Sequence, residues 1–334
     1  METEIFSAGQ IDAAVNLLAK GELVAFPTET VYGLGALATN EEAVKQVYAA
    51  KGRPSDNPLI VTVADKEMMS HYVQEVSDRA EKLINHFWPG PLTILLKARP
   101  GSLPKAVTGG LATVALRCPD DQLTREMIAK LGSPIVGPSA NTSTKPSPTT
   151  AQHVFHDLRG KIAGIIDGGP TKVGLESTII DIAVKSPVVL RPGAITPEEL
   201  SRVLGETVLI NRGQVSDQEV PKAPGMKYRH YAPSAAVVVV DDAQDFAQIN
   251  FDENTGVMAL NAELTKLDLP AQNKFDLGNG LADADRNLFA GLRYFDDQSQ
   301  IKQIFVQGFG GSEQTLAYMN RLNKAAAGHH FQVK

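Results

Sequence analysis

Two short stretches bring together residue types that can do chemistry. Lys51, Gly52, Arg53, Pro54, Ser55, Asp56, Asn57 and Pro58 form the first; Ser139, Ala140 and Asn141, followed by Lys145, Pro146, Ser147, Pro148 and Thr149, form the second. Each gathers cations, hydroxyls and amides where proline and glycine forbid a continuous helix, an assembly suited to a polyphosphate. Only Gly52 separates Lys51 from Arg53, and in an extended segment that spacing sends both side chains to one side, a point charge beside a planar fork. A solvated basic turn is the plainer reading of such a cluster. The second stretch weighs against it, because Ser139 follows the apolar run Ile135, Val136 and Gly137 and so stands at a strand end, where ligands of open α/β sheets bind. Part of this hydroxyl-rich stretch serves local structure, with Thr150 placed to cap the helical segment that begins at Ala151.

Other candidates divide more clearly. Arg117 and Arg191 each follow a β-branched run and are cations at strand ends, fit for an anionic ligand or for an ion pair at the sheet edge. Gly33, Gly35 and Ala38 satisfy G-x-G-x-x-A, with Asp56 about the right distance onward for a ribose, which would suit a dinucleotide-dependent oxidoreductase. In that motif the glycines follow the strand directly, whereas Pro27 to Tyr32 intervene here; a tight turn or close backbone packing is the simpler expectation. No G-x-x-x-x-G-K-[ST] sequence occurs. His153 with His156, and His329 with His330, lack the carboxylate or cysteine partners of a zinc site. Ser177 stands in Gly-Leu-Glu-Ser-Thr rather than G-x-S-x-G, with no histidine paired to it. Cys118 is the single cysteine, so an internal disulfide is impossible and a reducing compartment fits.

The elements that must position these residues mix strand and helix. Runs at 22–26, 59–63, 92–96, 113–116 and 162–166 are short, apolar and β-branched, and helical spacing links Ile11, Ala14, Val15 and Leu18, then Val44, Val47 and Tyr48. From about Gly205 to Pro233 this rhythm lapses under a scatter of prolines, marking a linker. A second α/β series follows, with strands at 237–240, 256–260 and 303–307 and helices at 286–295 and 313–324. The reading is a catalytic α/β domain at 1–205, a linker or lid at 206–233 and a smaller α/β domain at 234–334. For 334 residues with 32 Lys and Arg against 38 Asp and Glu, the formal net charge of -6 argues against a surface built to grip nucleic acid. The start of the chain lacks an export signal and no run is long enough to span a membrane, so a cytoplasmic protein with no membrane partner is expected.

Several motifs in order resemble the YrdC family: Pro27-Thr28-Glu29-Thr30-Val31-Tyr32-Gly33-Leu34-Gly35; Lys51-Gly52-Arg53 with Asn57-Pro58-Leu59; Trp88 to Thr93; Arg117-Cys118-Pro119; Ser139-Ala140-Asn141; Glu176 to Asp181; and Leu190-Arg191-Pro192-Gly193. Pro224 to Pro233 is similar to a segment of its long, two-domain members. The resemblance implies a twisted mixed sheet with helices in the first domain and a Rossmann-like α/β arrangement in the second. It also implies an activity: L-threonine, bicarbonate and ATP yield L-threonylcarbamoyladenylate and pyrophosphate. The adenylate would pass to a tRNA threonylcarbamoyltransferase, with weak or no direct tRNA binding by this chain.

By motif position, the resemblance gives L-threonine to Thr30, Thr62, Arg117, Ser139 and Ser177. It gives ATP to Lys51, Arg53, Asn57, Thr113, Asn141, Ser147, Thr149, Arg191 and Tyr231, with Lys51 and Arg53 as the catalytic cations. Magnesium would arrive on the phosphates rather than on protein ligands, and no organic prosthetic group is implied. Joining a carbamate to an α-phosphorus brings two anions together, so positioning and electrostatics outweigh proton transfer and no conspicuous base is needed. The linker residues Lys227, Arg229, His230 and Tyr231 are expected to close as a lid, hinged at Gly225. An RNA-binding module without turnover is the alternative of a different class, resting on the same basic, aromatic linker.

Overall fold

A computed structural model describes residues 2–211, 221–222 and 231–333. It separates into two compact units, Met1–Ser143 with Pro148–Lys172 and Glu176–Lys227, and Thr144–Ser147 with Val173–Leu175 and Tyr228–Lys334. The Lys227, Arg229 and His230 of the expected lid lie outside the described residues, as does Gly225.

The first unit carries β1 (Glu4–Phe6), β2 (Val24–Phe26), β3 (Gly33–Leu37), β4 (Ile60–Thr62), β5 (Leu92–Lys97), β6 (Thr113–Arg117), β7 (Ile135–Val136), β8 (Gly164–Ile166), β9 (Thr178–Asp181), β10 (Val188–Arg191) and β11 (Leu209–Ile210). They form one mixed sheet in the order β1-β8-β2-β3-β7-β4-β6-β5-β9-β10-β11. The short parallel pairing of β11 with β10 carries this sheet past residue 205, into the stretch read as linker.

Helix α1 (Ile11–Ala19) buries Ile11, Ala14 and Leu18, one stripe at helical spacing. Helix α2 (Glu41–Lys51) starts where the Asn40 side chain accepts from the Glu42 and Ala43 amides, and stops at Gly52, whose φ of 62° is left-handed. Lys51 is therefore the last helical residue. The extended geometry expected for Lys51 to Arg53 is not what forms; a helix end and a left-handed glycine set the two cations instead.

Alternation along the central strands separates two faces. Val61, Ile94, Leu96, Val114, Leu116 and Ile180 enter the large core. Ile60, Leu95, Ala115 and Ile179, from the same four strands, form a small separate apolar cluster on the other face. By the same alternation Thr62, Thr93, Thr113 and Arg117 share that second face, and the register pairs Thr62 with Arg117. A polar rim thus surrounds a small apolar floor.

Gly33 and Gly35 lie within β3, which runs antiparallel to β2 with Phe26 opposite Gly33. A Cβ on Gly33 would come within 2.5 Å of the Phe26 ring, and one on Gly35 within 2.7 Å of the Val24 carbonyl oxygen. These glycines are close-approach residues inside a strand rather than a phosphate-binding turn, which removes the structural basis of the oxidoreductase reading.

The second unit is built on β12 (Ala236–Val240), β13 (Thr255–Ala259), β14 (Lys274–Asp276) and β15 (Gln303–Gln307), all parallel, in the order β12-β15-β13-β14. The helix Leu281–Asp296 covers it with Leu288, Leu292 and Phe295 buried, and is longer at its start than the expected 286–295. The segment Thr144–Ser147 belongs to this unit, held by Lys145 Nζ at 2.7 Å from Asp296 Oδ2 and by the Ala232 amide donating to the Thr144 carbonyl at 3.0 Å.

Candidate active site

Lys51 joins the 51–58 stretch to the loop that begins at Ser139. Its side chain is almost fully buried, and Nζ donates to the Ser139 carbonyl, to the Asn141 carbonyl at 2.7 Å and to Asn141 Oδ1 at 3.3 Å. The Ser143 amide returns a bond to the Lys51 carbonyl at 2.8 Å, and Ser139 Oγ donates to Asn141 Oδ1 at 2.6 Å. The end of α2 and the loop after β7 are thus one hydrogen-bonded object. Arg53, half-buried, donates from Nη2 to the Pro58 carbonyl at 3.3 Å, keeping the 53–58 loop closed on itself. Asn57 is buried, with Oδ1 lacking a hydrogen-bond partner among the described residues. The Tyr48 hydroxyl bonds the Asn57 carbonyl at 3.0 Å, and burial pushes its pKa up to about 12.

A second cluster sits where β4 and β6 end. Arg117 is buried, donates from Nη1 to Thr30 Oγ1 at 2.8 Å, and has Nη2 at 2.7 Å from Glu29 Oε2. Thr28 and Thr30 share a 2.9 Å hydroxyl contact, and Thr28 Oγ1 accepts from the Thr30 and Val31 amides, folding the Pro27 to Tyr32 segment into a tight polar turn. Nearby Asp121 has its pKa raised, by burial first and then, among other causes, by the charge of Glu29. Burial pushes the neighbouring Cys118 thiol up to about 11, which leaves it a core residue rather than a nucleophile.

A third cluster joins β9, β5 and β10. Arg191 donates from Nε to the Ser177 carbonyl and from Nη2 to Ser177 Oγ, both at 3.1 Å, and Ser177 Oγ lies 2.7 Å from Thr93 Oγ1. Residues assigned to two different ligands, Arg191 and Ser177, are therefore in direct contact. Thr113 opens β6 and Arg117 closes it, so the strand separates the two ends of this face by about 13 Å, on the order of the span of an acyl adenylate. Thr149 meets His153, Oγ1 to Nδ1 at 3.3 Å, which gives that histidine a structural task at the start of its helix.

Ser147 and Tyr231 belong to the second unit. Ser147 is fully buried; Tyr231 is buried with φ of 66° and its ring centroid 5.1 Å from that of Phe289. Glu29, beside Arg117, and Thr93, beside Ser177, are two polar residues of these clusters that the sequence reading left without a role. A carboxylate flanked by threonines, Thr28-Glu29-Thr30, is the signal that could have marked the first.

Residues 16–193 match the Sua5/YciO/YrdC family, described as "Telomere recombination", and residues 195–327 match "Threonylcarbamoyl-AMP synthase, C-terminal domain". The chain belongs to the Sua5/YciO/YrdC family. It is 44% identical over 325 residues to the threonylcarbamoyl-AMP synthase of Bacillus subtilis, covering 96% of this chain and 93% of that protein. Identity to the Pyrococcus abyssi threonylcarbamoyl-AMP synthase is 43% over 323 residues, 95% of this chain and 94% of the relative. The crystal structure of P. abyssi Sua5 complexed with L-threonine superposes with a TM-score of 0.90 at 42% identity, over 99% of this chain and 100% of that one. Membership in the Sua5/YciO/YrdC family agrees with the mixed α/β sheet of the first unit and the parallel sheet of the second. Among the described residues no helix is long and apolar enough to cross a membrane.

Proposed function

We propose that this protein is a threonylcarbamoyl-AMP synthase, converting L-threonine, bicarbonate and ATP to L-threonylcarbamoyladenylate and pyrophosphate. One observation carries the reading: Lys51 ties the 51–58 stretch to the loop that begins at Ser139, and a separate sheet face holds a small apolar cluster with Thr62, Thr93, Thr113 and Arg117 on the same side. The relatives that bear the synthase name match nearly the whole chain, which supports the same activity here.

In this reading Arg117 pairs with the threonine carboxylate, with Thr30, Thr62, Ser139 and Ser177 around the amino acid. Lys51, Arg53, Asn57, Thr113, Asn141, Ser147, Thr149, Arg191 and Tyr231 serve ATP. Lys51 holds the loop in place through its carbonyls, and Arg53 meets the phosphates as a fork. Neutralising the phosphates lets an anionic carbamate approach the α-phosphorus, and an apolar floor limits the water that would hydrolyse it. Magnesium is assigned to the oxygens of the triphosphate, and no step is routed through a protein-held metal. The adenylate goes to a tRNA threonylcarbamoyltransferase, and the cytoplasm is where such a consumer meets tRNA. Domain roles follow as 1–205 for catalysis, 206–233 as linker or lid, its first residues paired into the sheet as β11, and 234–334 as the second α/β domain.

The test is incubation with ATP, labelled bicarbonate and each amino acid in turn, reading pyrophosphate release and the mass of the adenylate. L-Threonine should give the labelled adenylate. Arg53→Ala should lose at least about 100-fold of pyrophosphate formation, the scale of removing one stabilising donor, while its circular dichroism and melting temperature stay near wild type. Full activity in that variant removes Arg53 from the site.

A further inference from the structure

Leu288, Leu292 and Phe295 are buried on one face of the helix Leu281–Asp296, and a Cβ on Gly291 would strike Met258 of β13 and Phe275 of β14, so this face packs on the parallel sheet. Arg286, Phe289, Arg293 and Asp296 follow at i, i+3, i+7 and i+10, a second stripe on the opposite side. Each of them meets a residue that precedes 234 in the chain yet belongs to the second unit. A Cβ on Gly174 would strike Arg286 Cα, so backbone lies on backbone there. The Phe289 ring centroid is 5.1 Å from that of Tyr231. Arg293, buried, donates from Nη2 to the Pro146 carbonyl at 2.5 Å. Asp296 Oδ2 takes Lys145 Nζ at 2.7 Å, and its Oδ1 accepts from the Ser234 amide at 2.7 Å. Burial works to raise the Asp296 pKa, but the bonds from Lys145 and Ser234 outweigh it and lower it.

What the stripe holds is strained. Thr144 has φ of 77° and Tyr231 φ of 66°, left-handed values that cost a β-branched or aromatic residue energy and persist only where the surroundings impose them. The Ala232 amide, next to Tyr231, donates to the Thr144 carbonyl at 3.0 Å and ties the two strained points together. Ser147, one residue past Pro146, and Tyr231 are both given to ATP in the synthase reading.

We infer that Arg293 and Asp296 are positioning residues for ATP: through Pro146 and Lys145 they set the 144–147 segment, with Ser147 at its end, in the conformation to which the nucleotide binds. This rests on the synthase reading and deepens it by giving the second α/β domain a task in that reaction, the preorganisation of a nucleotide-binding segment. The pair with Asp296 likewise assigns Lys145 to the frame of the site rather than to a phosphate.

Titration calorimetry on the full chain, with α,β-methylene-ATP and L-threonine as separate ligands, tests this. Arg293→Met should weaken the nucleotide analogue about 10- to 100-fold, the range of a lost hydrogen bond to a charged group. Asp296→Asn keeps the shape and an acceptor for the Ser234 amide, so it should weaken the analogue less, by about 3- to 10-fold. Threonine should stay within about twofold of wild type in both variants, whereas a helix that contributed stability alone would shift both ligands alike or neither. Equal weakening of the two ligands overturns the inference. So does an Asp296→Asn protein that binds the analogue as tightly as wild type, or more tightly because Lys145 has been released to the phosphates. The Asp296 side chain is 13% exposed at the end of its helix, and its amide variant decides the matter alone if Arg293→Met fails to fold. Wild type that binds neither ligand instead sinks the synthase reading on which the inference stands.

Discussion

Both units bury cations and polar groups, but they bond them differently. In the first, Arg117 and Arg191 each give one N–H to a backbone carbonyl, that of Gly90 or of Ser177, but another to a hydroxyl, that of Thr30 or of Ser177, which can rotate and exchange partners when a ligand arrives. In the second, Asn273 donates to the Thr255 and Glu253 carbonyls, Lys274 to those of Leu264 and Leu267, and the Tyr318 hydroxyl to that of Gln307. Backbone carbonyls cannot move without moving the fold. A buried polar side chain is thus not a site by itself; the kind of partner separates a group held for chemistry from one held for structure. Lys51 stands between the two cases, since its partners are mostly carbonyls, yet those carbonyls belong to the loop that is to hold the ligand.

The sharpest way to break this comparison is to remove one group of each kind. Lys51→Met should lower pyrophosphate formation by about 100-fold or more, because the loop from Ser139 to Ser143 loses its tie as well as its nearby charge. Tyr318→Phe, which deletes one backbone-directed bond, should cost about 1 kcal/mol in urea unfolding and leave turnover unchanged. Equal loss of activity in both would erase the distinction.

Gly35→Ala tests the wall behind the first site. A Cβ there has the Val24 carbonyl oxygen at 2.7 Å, so β2 and β3 must part, and unfolding should become easier by about 1–3 kcal/mol. A melting temperature unchanged from wild type would refute the close-approach account.

The last comparison is one of pH dependence in the second unit. Burial raises the Asp285 pKa from 3.8 to about 7, despite the lowering influence of Arg321. The folded state therefore holds a proton that the unfolded chain has released, so this contribution to stability is greatest near pH 4 and is lost as pH rises toward 7. A carboxyl resonance of Asp285 with a midpoint near 4 would contradict it, and Asp285→Asn should flatten the corresponding part of the stability profile between about pH 4 and 7.

Much of this was legible in residue types. The apolar β-branched runs did become strands β4, β5, β6 and β8, and Asn141, Arg117 and Arg191 stand at loop and strand ends as their neighbours suggested. Where the reading failed, it failed on geometry. Spacing alone could not say that Gly52 ends a helix, which puts Lys51 on α2 and not on an extended loop. Nor could it say that Gly33 and Gly35 make room for Phe26, because the ring they accommodate comes from another strand.

Family membership and the roster of hydroxyls, amides and cations were therefore settled by sequence, since motif order and residue chemistry are properties of the chain itself. Tertiary structure decided which of them meet: that Lys51 reaches Asn141, that Ser177 touches Arg191, and that Glu29 lies against Arg117. Each of these pairs joins separate elements, and only strand register and the left-handed turn at Gly52 fix how close they come.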